Sequence, residues 1–189
     1  EPGGNGSTTG PTGRAALEGD FLLIDAVSLA AMAKSMTTLI ETARTAAQAL
    51  PQGKRMLGLD LGTKTIGMAT SDFTGSFATA RETIRRTKFT EDARLLLAFA
   101  EKEQIGLLVL GLPLTMDGTA GPRAQSTRAF ARNLAKLTAL PLVYWDERLS
   151  TAAVTRTMLE ADMSRAKQAE NVDKFAAAHI LQSLLDAVR

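Results

Sequence analysis

The chain has 189 residues, 45% of them hydrophobic, and a formal net charge of only +2 beside a pI of about 9.1. That suits one domain with an appended segment, and any nucleic-acid partner must be met by local basic patches rather than by total charge. There is no cysteine and one histidine, His179, which excludes disulfide scaffolds, thiolate-held zinc, iron–sulfur clusters, thiol catalysis and multi-histidine metal sites, so hydrolytic chemistry falls to carboxylates.

Residues 1–20 (EPGGNGSTTGPTGRAALEGD) are rich in Gly, Thr and Pro without apolar periodicity and read as a flexible tail. From Phe21 to Leu50, Leu23, Val27 and Ala30, then Leu39, Ala43 and Ala46, recur at helical spacing, so residues 21–53 form an N-terminal helical extension of one or two helices. Asp25, Lys34, Glu41 and Arg44 interrupt this stretch short of the ~20 residues a bilayer needs. No basic region precedes the small-residue site Ala47-Gln48-Ala49, so a signal peptide is not expected, and the protein reads as cytoplasmic with no membrane partner.

The main domain spans residues 54–189. Lys54–Asp60 and Thr65–Thr70 predict two strands joined by the turn Leu61-Gly62-Thr63-Lys64, and Phe77–Arg86 a third that completes an antiparallel meander. Glu91–Lys102 has helical spacing with Thr90 as its N-cap, Gly106–Gly111 reads as a buried central strand, Pro122–Thr138 as a helix and Leu142–Trp145 as a second buried strand. Ser150–Glu160 and Asn171–Val188 are predicted helices separated by a polar loop with Ser164, Arg165 and Lys167. The order describes an α/β domain with a mixed five-stranded sheet.

Three places could carry chemistry. Asp60 closes an apolar strand before a glycine turn, which suits a metal ligand on a rigid strand, although a turn-forming Asp is the plainer reading. Asp146-Glu147-Arg148 follows a buried strand, where α/β sheets place their ligands. If that strand continues, Asp146 and Glu147 face opposite ways, and periodicity does not say which faces Asp60. Asp173 shares a helix face with Ala176, Ala177, Ile180 and Leu184, although a first-turn acid also serves the helix dipole. Clustered carboxylates repel one another unless cations intervene, and oxygen-only ligation suits Mg²⁺ or Mn²⁺. Two such ions activate a water and stabilise the leaving oxygen in phosphodiester hydrolysis. Asp72 and Asp117-Gly118 read first as turn residues, and Tyr144 and Trp145 as core anchors.

Asp60-Leu61-Gly62-Thr63-Lys64-Thr65-Ile66-Gly67, Gly111-Leu112-Pro113-Leu114-Thr115-Met116-Asp117-Gly118-Thr119, Asp146-Glu147-Arg148-Leu149-Ser150-Thr151 and Val172-Asp173 with Ile180-Leu181-Gln182 strongly resemble the YqgF family. The resemblance covers about residues 54–188 and leaves 21–50 aside. It implies an RNase H-like fold and a metal-dependent nuclease that matures the 5′ end of 16S rRNA on ribosomal precursor particles, or else resolves Holliday junctions. It also implies that Asp60, Glu147 and Asp173 are the catalytic and metal-binding positions, with Asp146 less secure. For binding structured RNA or branched DNA the candidates are Lys64, Arg123, Arg128, Arg148, Arg165 and Lys167. Arg128, Arg132 and Lys136 form a stripe, and Arg85, Arg86 and Lys88 a cluster, that could track phosphates, although such a stripe is usually a solvated face. An actin-like ATPase, suggested by Asp60-Leu61-Gly62-Thr63, needs a second domain for which the chain has no room. A non-catalytic RNA-binding protein has no use for the acidic trio. Either a monomer or a homodimer is compatible with the sequence.

Overall fold

A computed structural model describes residues 26–115, 119–149 and 165–189, with residues 26–36, 149 and 165–174 described by backbone alone. The expected tail (residues 1–20), the predicted helix Ser150–Glu160 and Asp117-Gly118 lie outside the described residues. The elements are α1 (Ala26–Gln48), β1 (Arg55–Leu61), β2 (Thr65–Ser71), β3 (Ala78–Ala80), β4 (Ile84–Arg85), α2 (Phe89–Lys102), β5 (Ile105–Leu112), α3 (Pro122–Leu134), β6 (Leu142–Asp146), a 3₁₀ turn (Glu147–Leu149) and α4 (Arg165–Val188). The strand order is β3-β2-β1-β5-β6, with β4 also on β2. β1 runs antiparallel to β2 with Asp60 opposite Gly67, and parallel to β5 with Leu59 beside Leu110. β6 is parallel to β5, with Gly111 beside Trp145 and Leu112 beside Asp146. A meander followed by parallel strands, with helices on both faces, is the RNase H-like arrangement the sequence led us to expect.

The sheet has six strands rather than five. The predicted strand Phe77–Arg86 divides because its pairing with β2 slips by one residue: Ala80 stands opposite Ala69, and the Arg81 N–H still donates in register to the Met68 carbonyl at 2.7 Å, but Ile84 stands opposite Ile66. Thr90 is not the N-cap of α2, which follows Lys88; the Asp92 carboxylate accepts the Thr87 N–H at 2.9 Å and secures that end instead. α3 stops at Leu134, four residues before the predicted Thr138, in tight turns where the N–H groups of Lys136 and Leu137 reach back three residues. α4 begins at Arg165, so Arg165 and Lys167 are helical rather than in a loop.

Each central strand is buried on both sides, which is why β5 reads as a continuous apolar run. Leu57, Leu59, Leu108 and Leu110 face α2 and α3, meeting Leu96, Phe130 and Leu134, with Tyr144 against this layer. Met56, Leu107, Val109, Val143 and Trp145 face α4, meeting Ala177, Ile180, Leu181 and Leu184, and Ala43 of α1 joins them. The Trp145 indole N–H donates to Ser183 Oγ at 3.2 Å. Glycine lets α4 approach the sheet: a Cβ on Gly58 would stand 2.7 Å from Leu181 Cβ and 2.9 Å from the Ala177 carbonyl oxygen. Among the described residues no helix is long and apolar enough to cross a membrane.

Candidate active site

Strand alternation decides which carboxylates share a face. On β1 the α4 side is taken by Met56, so Gly58 and Asp60 follow on that side; on β5 it is taken by Leu107 and Val109, then Gly111. On β6, Val143 and Trp145 face α4, and Glu147 continues the alternation in the 3₁₀ turn. The register that sets Leu59 beside Leu110 brings Asp60 next to Gly111, and a Cβ on Gly111 would stand 2.9 Å from Glu147 Oε1. Asp60 and Glu147 therefore flank Gly111 at one end of the sheet, on strands two spacings (about 9.5 Å) apart, with the Glu147 carboxylate reaching back over β5. Asp60 is only 1% exposed. Asp60 Oδ1 and Glu147 Oε1 are buried oxygens that accept no hydrogen bond among the described residues, while both residues make other interactions.

Asp173 belongs to α4, four residues before Ala177. The helix runs opposite to β1, because Gln182, near its C-terminal end, accepts the Ala78 N–H at 2.9 Å, by the start of β1. From Gly58 to Asp60 is about 6.6 Å along the strand, and from Ala177 back to Asp173 about 6 Å along the helix. Asp173, one turn before Ala177, therefore lies on the part of α4 that runs toward the Asp60 end of β1. Among the described residues no group of three or more His, Asp or Glu side chains could hold a metal ion.

Asp146 turns the other way and is engaged. It is fully buried, and its Oδ1 accepts the backbone N–H and Nε of Arg148 at 3.0 Å, while Oδ2 accepts Nη2 at 2.5 Å. Arg148 also donates from Nη1 to the Thr115 carbonyl at 3.3 Å. Asp72 lies at the opposite end of the sheet, beyond Ser71, whose hydroxyl accepts the Met56 N–H at 3.0 Å. There it organises the turn to β3, taking hydrogen bonds from the Thr74 hydroxyl and from the N–H groups of Ser76 and Phe77. The Thr74 hydroxyl above all, with the Phe77 N–H, holds its pKa down to about 2. Asp72 is too far from Asp60 to join it.

Of the basic candidates, Lys64 is exposed on the β1–β2 turn, and Arg123 and Arg128 are exposed on α3, as are Arg132 there and Lys136 just beyond it. Arg165 and Lys167 lie in the first turn of α4. Arg85 and Lys88 are exposed, but Arg86 is turned inward: Nη1 donates to the Gly62 carbonyl at 2.6 Å, the backbone N–H donates to the Lys64 carbonyl at 2.8 Å, and Nε lies 3.9 Å from Asp92. The support that Arg86 gives to the Asp60 turn has no local signature, since it depends on β4 pairing back onto β2. Gly62 does not adopt a positive φ, so this turn does not draw on glycine's left-handed freedom.

Residues 54–187 match the family model described as RuvX: Holliday junction resolvase. The chain belongs to the RuvX family. Relatives named provisionally as pre-16S rRNA nucleases include one from Paramagnetospirillum magneticum, 64% identical over 72% of this chain and 88% of its own length. Another, from Agrobacterium fabrum, is 60% identical over 74% of this chain and 88% of its own length. Among solved structures the chain is similar to Thermus thermophilus RuvC in complex with a Holliday junction substrate, with a TM-score of 0.46 and 10% identity over 67% of this chain and 91% of that one. It is similar also to the yeast mitochondrial Holliday junction resolvase Ydc2, with a TM-score of 0.40 and 11% identity over 84% and 94%. This RuvX protein is, by its family, a hydrolytic nuclease. Helix α1 lies before the matched residues.

Proposed function

We propose that this RuvX protein hydrolyses phosphodiester bonds of precursor 16S rRNA in the cytoplasm, with Asp60, Glu147 and Asp173 holding one or two Mg²⁺ or Mn²⁺ ions. The observation that carries this reading is the position of Asp60 and Glu147 on one face of the sheet, flanking a glycine whose missing side chain gives the Glu147 carboxylate room to lie over β5 beside Ile180. The donor set fits: carboxylate oxygens suit hard divalent cations, and the single histidine and absent cysteines rule out softer ligation. When bound, such ions supply charge neutralisation and Lewis-acid activation of water and of the leaving oxygen. The chain's own residues do the positioning. Rigid strands fix Asp60 and the turn bearing Glu147, the place of Asp173 on α4 toward the Asp60 end of β1 supports it as the third ligand, and Lys64 on the adjoining turn suits a phosphate beside the scissile bond. The exposed cations Arg123 and Arg128 on α3 suit more distant phosphates, as do Arg165 and Lys167 by their place in the first turn of α4.

RNA is favoured over DNA by the names of relatives 56–64% identical. The family model's description favours the second reading, a Holliday junction as substrate. Cleavage of precursor 16S rRNA and of a four-way DNA junction in Mg²⁺ by the wild type and by Asp60→Asn tests both. The expected result is RNA cleavage by the wild type alone. Equal cleavage by Asp60→Asn overturns the site, and cleavage of the junction alone overturns the substrate.

A further inference from the structure

Resting on that reading of the site, we propose that Arg148 is a positioning residue rather than a phosphate-binding one: it clamps Asp146 and the Thr115–Thr119 loop together and so sets Glu147 over Gly111. Arg148 is the neighbour of Glu147 yet points away from it. Its guanidinium lies against the buried Asp146 carboxylate through Nε and Nη2, and its own backbone N–H closes a turn onto the same carboxylate. Asp146 belongs to the side of β6 that faces α2 and α3, so this ion pair anchors the 3₁₀ turn from the face opposite Asp60.

The third arm of the guanidinium reaches Thr115, at the foot of the loop after β5. That foot is closed on itself. The Thr115 N–H and hydroxyl donate to the Thr119 carbonyl at 3.0 and 2.9 Å, and the two hydroxyls lie 2.6 Å apart. One planar cation therefore links two segments that leave the sheet at its active end. The Arg148 side chain is only 17% exposed and Asp146 not at all, so freeing this cation for a phosphate would leave a buried carboxylate uncompensated. The clamp also explains why Asp146 is a poor metal ligand: both of its oxygens already face a fixed positive charge. Lysine cannot replace it, because a point ammonium cannot bond side-on to a carboxylate and reach a third acceptor at once.

The test uses Arg148→Lys, Arg148→Ala, Asp146→Asn and the Asp146→Asn/Arg148→Ala double variant in the full chain. A positioning role predicts that Arg148→Lys lowers kcat by about 10–100-fold, as loss of a ligand-orienting partner does, with KM unchanged. RNA binding in Ca²⁺ would then keep the wild-type dependence on salt. The double variant would be no worse than the poorer single one, because both remove one clamp. Independently of any cleavage, amide exchange at Thr115 would be faster in Arg148→Lys than in the wild type. A phosphate contact instead predicts a raised KM, a salt slope lower by about one, and additive losses. That pattern, or unchanged exchange at Thr115, overturns the proposal. Inactivity of the wild type itself would strike the proposed function and leave the exchange result to decide the clamp.

Discussion

Replacing Gly111 by alanine separates what this glycine does for packing from what it does for the site. The new Cβ would stand 2.4 Å from Ile180 Cδ1 and 2.9 Å from Glu147 Oε1. Both are closer than carbon tolerates, but they yield differently. Cδ1 is the end of a flexible side chain, and crowding of this kind costs about 1–3 kcal/mol, so the melting temperature should fall by about 2–12 °C for a chain of this size. Glu147 must withdraw by a few tenths of an ångström. Since a 1 Å misplacement costs about a hundredfold in rate, cleavage should fall by about three- to tenfold. Adding Ile180→Val removes Cδ1 itself and leaves Cγ1 at 3.3 Å, a tight contact that a shift of a few tenths of an ångström relieves. Alone that change costs about 0.5–1.5 kcal/mol. In the double variant it should restore most of the lost stability, while cleavage stays low because Glu147 is still displaced. Thermal unfolding by circular dichroism and cleavage of precursor rRNA in Mg²⁺ read the two effects separately. If Gly111→Ala melts and cleaves like the wild type, Glu147 and Ile180 do not meet over β5 and the described site is wrong. If the double variant recovers activity along with stability, Gly111 serves packing alone.

Gly58→Ala should cost more stability than Gly111→Ala, because its Cβ meets the backbone oxygen of Ala177 and the Cβ of Leu181, neither of which can swing aside. Chemical denaturation compares them, and an equal or smaller loss would contradict the close seating of α4. The folded-state pKa of Asp72, about 2, lies below the ordinary value of about 3.9, so its contribution is present above about pH 4 and fades as the pH falls towards 2. The stability gap between wild type and Asp72→Asn should therefore narrow over that window in urea titrations; a constant gap would mean the Thr74 and Phe77 bonds do not hold the ionised form. Gln104, just past α2, has a φ of 55°, where a side chain costs about 1–2 kcal/mol and glycine nothing. Gln104→Gly should raise stability by about 0.5–1 kcal/mol after glycine's entropy is counted, and a lowered melting temperature would contradict that conformation.

The fold was largely legible because its central strands are buried on both faces and so appear as unbroken apolar runs, as in Gly106–Gly111. The edge was not. Phe77–Arg86 looks like one strand, but its break is a one-residue slip in pairing against Ala69 and Ile66, more than ten residues away. Likewise Thr90 has the chemistry of a cap, and only the reach of Asp92 back to Thr87 shows where α2 begins. At the site, Asp60 could be singled out from its strand and turn alone. Choosing Glu147 over Asp146 from spacing could not be done, because the alternation of β6 acquires a direction only once Val143 and Trp145 are seen against α4. Asp72 shows the same limit. A carboxylate at a strand end is a candidate until the antiparallel pairing of β1 and β2 puts it at the far end of the sheet from Asp60.

The central claim is that Asp60, Glu147 and Asp173 hold divalent ions where α4 meets the ends of β1 and β6. A crystal grown with Mn²⁺ and measured at the manganese absorption edge locates the ions without reference to activity. The account predicts anomalous density between the Asp60 and Glu147 carboxylates, beside Gly111, and its loss in Asp60→Asn crystals. Ordered carboxylates with no density between them at saturating Mn²⁺, or ions bound only elsewhere, would contradict it.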